Sequence, residues 1–219
     1  MSTAKDIIVK PIDSKSANAI CKKYHYSGKV VPNSQIHFGV FYKGRCEGVM
    51  QFGPSLCKKL TMRIVPETKF NGFIELNRMA FGENLPKNSE SRALSIAHKI
   101  IKKNYPFIDW IVSFADACQC GDGTIYRAAG YKLTQIKKNT SMWVNKKTGE
   151  KMQDMQFYHK MIKKDHNWER LPGYMLRYIY FLKDKPQNKL VKTIPFDEIP
   201  KEVKMYKGKK RGEHESNAS

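Results

Sequence analysis

Asp116 is the residue best placed to do chemistry. It closes the nearly continuous apolar run Phe107–Ala115, so a carboxylate stands where a buried strand opens into a loop. Open α/β sheets present their ligand sites at such strand ends. The same position equally suits a cap or turn residue ahead of Gly121–Thr124. His25 stands among Lys23, Tyr24 and Tyr26 at the end of a first helix, where the dipole favours its cationic form. A phosphate contact, a proton shuttle, a metal ligand and a structural histidine all fit that setting. His25 and His37 are too far apart in sequence to make a metal motif, and metal is left open. The late stretch from His166 to Phe181 interleaves arginine with aromatic residues, as nucleic-acid surfaces do. It also reads as an edge strand, with Leu176, Tyr178 and Tyr180 facing one way and Arg177 exposed.

Charge narrows the partner. Forty Lys and Arg against twenty Asp and Glu give the 219-residue chain a formal charge of +20, which points to a polyanion. Lys-Lys pairs begin at positions 22, 58, 102, 137, 146, 163 and 209, a spread that tracks a phosphate backbone better than a local tail does. A basic surface kept only for solubility is the competing reading. Hydrophobic content of 41% and aromatic content of 11% exclude a disordered basic chain. No apolar run reaches membrane-spanning length, since Tyr174–Leu182 is interrupted by Arg177. Ile7–Val9 is too short for a secretory core before Lys10 and Pro11, so a cytoplasmic protein is expected. The five cysteines, at 21, 46, 57, 118 and 120, then read as free thiols, and the spacing of Cys118 and Cys120 matches neither a redox nor a zinc motif.

These residues need elements to hold them. Asp13 or Ser14 caps a helix whose apolar positions Ala17, Ile20, Cys21 and Tyr24 share a face, ending near Ser27 and Gly28. Alternation from Ile36 to Phe52 around Lys43-Gly44 predicts a hairpin, and Phe73–Phe81 a further strand. Ser89–Tyr105 carries the strongest helical period, through Ala93, Leu94, Ala97, Ile100 and Ile101. A strand to Ala115 follows, then a short helix from Thr124 to Ala129 stopped by Gly130. Strands are expected over Tyr131–Trp143 and Lys151–Met161. The order describes an α/β layer with an antiparallel start and end. The expected division is a catalytic domain over 1–182, an extended strap over 183–206, and a disordered basic and polar tail over 207–219.

The stretch Thr124–Leu133 resembles the late helix and strand of GNAT-like acyltransferases, with Tyr126 and Gly130-Tyr131 in the family's Y-x-x-x-G-[FY] places. The resemblance implies a mixed central sheet flanked by helices. It also implies that Tyr126 is a general acid for a leaving group, although a core tyrosine has the same spacing. Glu75–Phe81 looks like that fold's central strand, which carries a bulge, and the next helix start is where the family holds pyrophosphate. Here Lys87–Ala93 lacks the family's glycines. Ser89, Ser91 and Arg92 supply hydroxyl, amide and guanidinium groups for an anion, but use of acyl-CoA as donor is in question.

The whole pattern is similar to a narrower group, the Mom proteins of bacteriophages. The matching stretches are Tyr24–Gly28, His37–Phe41, Glu75–Arg78, Asn88–Arg92, Ser113–Asp116, Gly121–Tyr126, Leu171–Tyr174 and Arg177–Phe181. That resemblance implies conversion of adenine in duplex DNA to an N6-carbamoylmethyl derivative that protects phage DNA from restriction. It carries over His25, Tyr26, Arg78, Ser91 and Asp116 as functional positions, while Asp122 stands where many relatives have histidine. The group donor is not legible.

The chemistry suits these residue types. The adenine amine is a weak nucleophile that must be positioned and deprotonated, and Asp116 is the expected base. The base must first leave the stack, which costs a few kcal/mol. Lys22, Lys23, Tyr24, Arg177 and Tyr178 are the expected DNA contacts. Two readings compete. An acyl-CoA-dependent N-acetyltransferase of proteins or small amines is disfavoured by the missing glycines, and a non-catalytic DNA-binding module would leave nucleosides unchanged.

Overall fold

The computed structural model describes residues 3–119, 121–159 and 166–203. Its frame is a seven-stranded sheet in the order β1-β2-β3-β4-β5-β10-β6. The strands are β1 (Ile8–Pro11), β2 (Ile36–Tyr42), β3 (Arg45–Gly53), β4 (Phe73–Phe81), β5 (Trp110–Asp116), β6 (Lys132–Asn139) and β10 (Gly173–Phe181). All neighbours run antiparallel except β4 and β5. The β2–β3 hairpin turns on Lys43 and Gly44, both at positive φ, as a two-residue turn requires. β1, which the sequence reading left unassigned, pairs with β2 at one edge.

Side chains alternate between two covered faces. On one, Ile74, Leu76 and Ile111 pack with Ala93, Leu94, Ala97 and Ile101 of α3 (Ser89–Asn104), the expected helical period. On the other, Phe73 stacks on Trp110 at 4.6 Å, with Val112 beside them, and Val49 and Ala80 meet Ala17 and Cys21 of α1 (Ser14–Tyr24). Asp13 caps α1 by accepting from the Ser16 amide at 2.9 Å. A short α2 (Lys58–Met62) follows β3, and α4 (Thr124–Ala128) stops before Gly130 at φ +86°.

Two expected strands come out differently. Tyr131–Trp143 is broken at Thr140, so β6 stays in the main sheet while β7 (Met142–Asn145) joins β8 (Lys151–Gln153) and β9 (Trp168–Arg170) in a separate three-stranded sheet. The expected strand over Lys151–Met161 ends at Gln153, and α5 (Asp154–His159) follows; Met161 lies outside the described residues. The reason is local packing. Phe157 lies flat on Trp143 at 4.0 Å, and Asp154 accepts from Trp143 Nε1 and from Arg170, both at 2.6 Å.

The late segment is also corrected. β10 is inserted between β5 and β6 and pairs with both, so it is an interior strand. Residues 183–203 pass over the sheet through turns at Pro186–Leu190 and Phe196–Glu198, burying Val191, Ile199 and Val203 against it. The expected tail over 207–219 lies outside the described residues.

Candidate active site

A parallel pair of strands that stops pairing halfway makes the site. β4 and β5 are in register only over Phe73↔Trp110, Ile74↔Ile111 and Glu75↔Val112. Beyond Glu75, β4 stays with β3 and β5 stays with β10, and the two diverge. The register of β4 against β3 slips by one residue there: Leu76 faces Phe52 and Arg78 faces Gln51, leaving Asn77 as the extra residue of a bulge. The bulge expected of this strand is therefore present. Its Asn77 Oδ1 accepts from Ser34 Oγ at 3.0 Å.

The divergence opens a cleft of about 240 Å³. β4 from Leu76 to Phe81 forms one wall, and Phe114, Ala115 and Gln119 the other. Tyr24, His25 and Tyr26 close it from the end of α1, and Glu90 and Thr124–Tyr126 from the α3 and α4 side. It thus reaches elements on both faces of the sheet.

His25 ends α1, its amide bonding to Cys21 O at 2.9 Å. Burial, with the Arg78 charge as a smaller cause, holds its pKa down at about 4. The ring is neutral near pH 7, against the cationic form expected from the dipole, because desolvation outweighs the partial charge of one helix end. Its Nδ1 accepts from the Ser27 amide at 3.2 Å and is 2.8 Å from Ser27 Oγ, which assigns the ring proton to Nε2. Tyr26 packs against His25 at 4.2 Å with the rings tilted by 32°, and it is 55% exposed. Arg78 is anchored through Nε to Lys29 O (3.2 Å) and Nη1 to Asn77 O (2.8 Å). Tyr24 donates to Glu47 at 2.9 Å while Lys23 covers its ring.

α4 carries Tyr126 and is held from behind. Asp122 accepts from the Thr124 amide (3.0 Å) and hydroxyl (2.6 Å), and Tyr178 OH donates to Asp122 O. Tyr126 packs between Tyr178 at 5.1 Å and Tyr131 at 5.3 Å.

Asp116 is not on the cleft wall. It is buried, with Oδ1 accepting from the Cys118 amide (3.0 Å) and Asn139 Nδ2 (3.2 Å), and Oδ2 from Gln119 Nε2 (3.4 Å). Those bonds are the ones the turn-residue alternative describes. Glu90 is the one carboxylate lining the cleft among the described residues. Burial, helped by Asp116, pushes the Cys118 thiol up to about 12, which favours the thiol over the thiolate.

The anion-binding residues separate. Ser89 is fully buried and donates to Pro86 O at 2.6 Å, so its hydroxyl is spent inside the fold. Ser91 and Arg92 line a shallow basin beside the α3 start, with Lys5 and Lys87. Asn88 holds the left-handed position there at φ +69°, within the stretch that lacks glycine. The expected DNA contacts separate as well. Lys22 and Lys23 are exposed, but Tyr178 is fully buried because β10 is interior, and Arg177 is half-buried with Nε on Thr134 Oγ1 at 3.0 Å. Sequence reasoning missed Gln119, Glu90 and Asn77. Only the bulge expected of β4 hinted at the last.

No group of three or more His, Cys, Asp or Glu among the described residues is arranged to hold a metal ion. Cys21, Cys46, Cys57 and Cys118 are unpaired, and Cys120 lies outside the described residues. No helix among them is long and apolar enough to cross a membrane.

A mixed sheet split between two parallel strands, with helices on both faces, is the GNAT-like N-acetyltransferase fold. A putative phosphinothricin N-acetyltransferase superposes with a TM-score of 0.50 at 11% identity, covering 81% of this chain and 99% of its own. The putative acetyltransferase yncA from Salmonella typhimurium, solved with acetyl-CoA, gives 0.50 at 9% identity over 82% and 95%. Within that fold the chain belongs to the Mom protein family, whose pattern it matches over residues 6–201. It is 41% identical over 138 residues to the methylcarbamoylase mom of Escherichia phage Mu. The alignment takes in 63% of this chain and 57% of the phage Mu protein, so the chain spans little more than half that relative's length.

Proposed function

We propose that this protein is a phage DNA modification enzyme that converts adenine in duplex DNA to its N6-carbamoylmethyl derivative, acting in the host cytoplasm to shield phage DNA from restriction. The observation that carries this reading is the cleft between β4 and β5, which gathers Tyr24, His25, Tyr26, Arg78 and Tyr126 in a chain of the Mom family.

The reaction joins adenine N6 to the methylene carbon of a carbamoylmethyl donor. The bond from that carbon to the leaving group breaks, its electron pair departs with the leaving group, and the amine gives up one proton. Exposed Tyr26 stacks on the extruded base and offsets part of the unstacking cost. Neutral His25 offers Nε2–H, and Arg78 its cation, to the donor's carbonyl or phosphate oxygens. Glu90 takes the amine proton, and Tyr126 protonates the leaving group. Ser91, Arg92, Lys5 and Lys87 in the basin beside α3 suit an anionic part of the donor.

Mass spectrometry of nucleosides from cells expressing the chain tests this directly. Modified adenine is expected with the unaltered protein, and Glu90→Gln and Tyr126→Phe should each reduce it by about 100-fold, the usual scale of a lost acid or base. Unmodified DNA, with heat released on titrating acetyl-CoA into the protein, favours the acetyltransferase alternative instead.

A further inference from the structure

Gln119 lines the cleft with a side-chain amide whose direction the fold sets. It reaches the cleft from the loop after β5, while its Nε2 is held by Asp116 Oδ2 at 3.4 Å and approaches Met142 Sδ at 3.8 Å. The direction of that amide follows from a chain of hydrogen bonds behind it. Ser141 donates to Asn139 Oδ1 through both its amide (3.1 Å) and its hydroxyl (2.7 Å), so Asn139 must turn its Nδ2 toward Asp116 Oδ1, at 3.2 Å. The Cys118 amide donates to the same oxygen. The carboxylate therefore acts as acceptor on both oxygens, and Gln119 faces it with nitrogen. Oε1 is turned the other way, which makes it an acceptor with its sense set by the fold.

A carbonyl acceptor in that place distinguishes bases by one feature. Adenine N6 and cytosine N4 bring N–H donors to it, whereas guanine O6 and thymine O4 bring a second acceptor. We propose that Gln119 reads the exocyclic amine of the extruded base, with Asp116 as the positioning residue that fixes the sense of its amide. This rests on the reading of the site as a base-modifying one, and it sharpens the geometry of the step. One amine hydrogen is held by Gln119 Oε1 and the other is taken by Glu90, leaving the nitrogen electron pair for the donor carbon.

The test is fluorescence anisotropy of the full chain with otherwise identical duplexes carrying one unpaired A, C, G or T. The unaltered protein should bind A and C about tenfold more tightly than G and T, the scale of one base-edge contact. Gln119→Met keeps the side-chain length and should abolish that preference. Asp116→Asn is the sharper variant. Its carbonyl stays with Cys118 and Asn139, its new amide nitrogen donates to Gln119, and Gln119 must reverse, so the preference should swing toward G and T. No amine preference in the unaltered protein, or a preference that survives Gln119→Met, overturns the assignment. Nucleoside mass spectrometry separates this from the functional reading. Absence of modified adenine with an intact amine preference removes the proposed reaction but keeps Gln119 as the base reader.

Discussion

At the scale of single residues, the turn before α4 shows how one glycine answers to two constraints. Gly123 holds φ +75°, and a Cβ there would stand 2.5 Å from the Tyr178 ring; Gly130 holds φ +86° but meets nothing closer than 3.5 Å. Gly123→Ala should therefore cost about 2–4 kcal/mol, combining backbone strain with overpacking, and Gly130→Ala only about 1–2 kcal/mol from the backbone alone. Urea denaturation of both variants measures the difference, and equal losses would mean the Tyr178 contact does not matter. His98 gives a second test. Buried between Tyr131, at 2.9 Å from its hydroxyl, and Tyr180, stacked at 4.0 Å, it has its pKa pushed by burial from 6.5 to about 3. The unfolded chain then binds a proton that the folded chain refuses. The stability this adds is complete above about pH 6.5 and is lost as the pH falls toward 3. His98→Phe should flatten the decline of Tm between pH 6.5 and 4 in scanning calorimetry, relative to the unaltered protein. The type and position of Asp116, His25 and Tyr126 were legible in the chain. The protonation of His25 and the orientation of all three were not, because burial and second partners such as Arg78 and Asn139 come from distant segments.

At the scale of elements, the feature that makes the cleft is an interruption. The three-pair register of β4 with β5 and the bulge at Asn77 create the cleft, and neither involves a residue that would react. Deleting Asn77 restores the register of Gln51 with Arg78 without the extra residue, keeping every later side chain on its face. The variant should fold, yet lose about 100-fold in adenine modification because the wall is displaced by something near 1 Å; circular dichroism with nucleoside analysis separates the two effects. Helix α3 and the β2–β3 hairpin were readable from period and turn residues. The three-stranded sheet was not, since Lys151–Met161 alternates like a strand until Phe157 finds Trp143 and Asp154 finds Arg170.

At the scale of the whole molecule, the proposed action on duplex DNA, carried by a folded body of charge +20, requires an affinity dominated by electrostatics. Affinity for duplex DNA should fall by about 10³-fold or more between 50 and 200 mM salt, and reversing exposed Lys22, Lys146 and Lys147 to glutamate should lower the log–log slope by about 2–3. A slope unchanged by those reversals places the duplex on another face. Composition, helical and strand periods and turn residues are local properties of the chain. They were enough to reach the α/β class, while the family was legible in short motif stretches such as Glu75–Arg78 and Gly121–Tyr126. Placing β10 between β5 and β6 required folding, because strand order depends on pairing between segments far apart in the chain. That insertion buries Tyr178 and brings Asn139 to Asp116, so that Gln119 rather than Asp116 lines the space between the diverging strands.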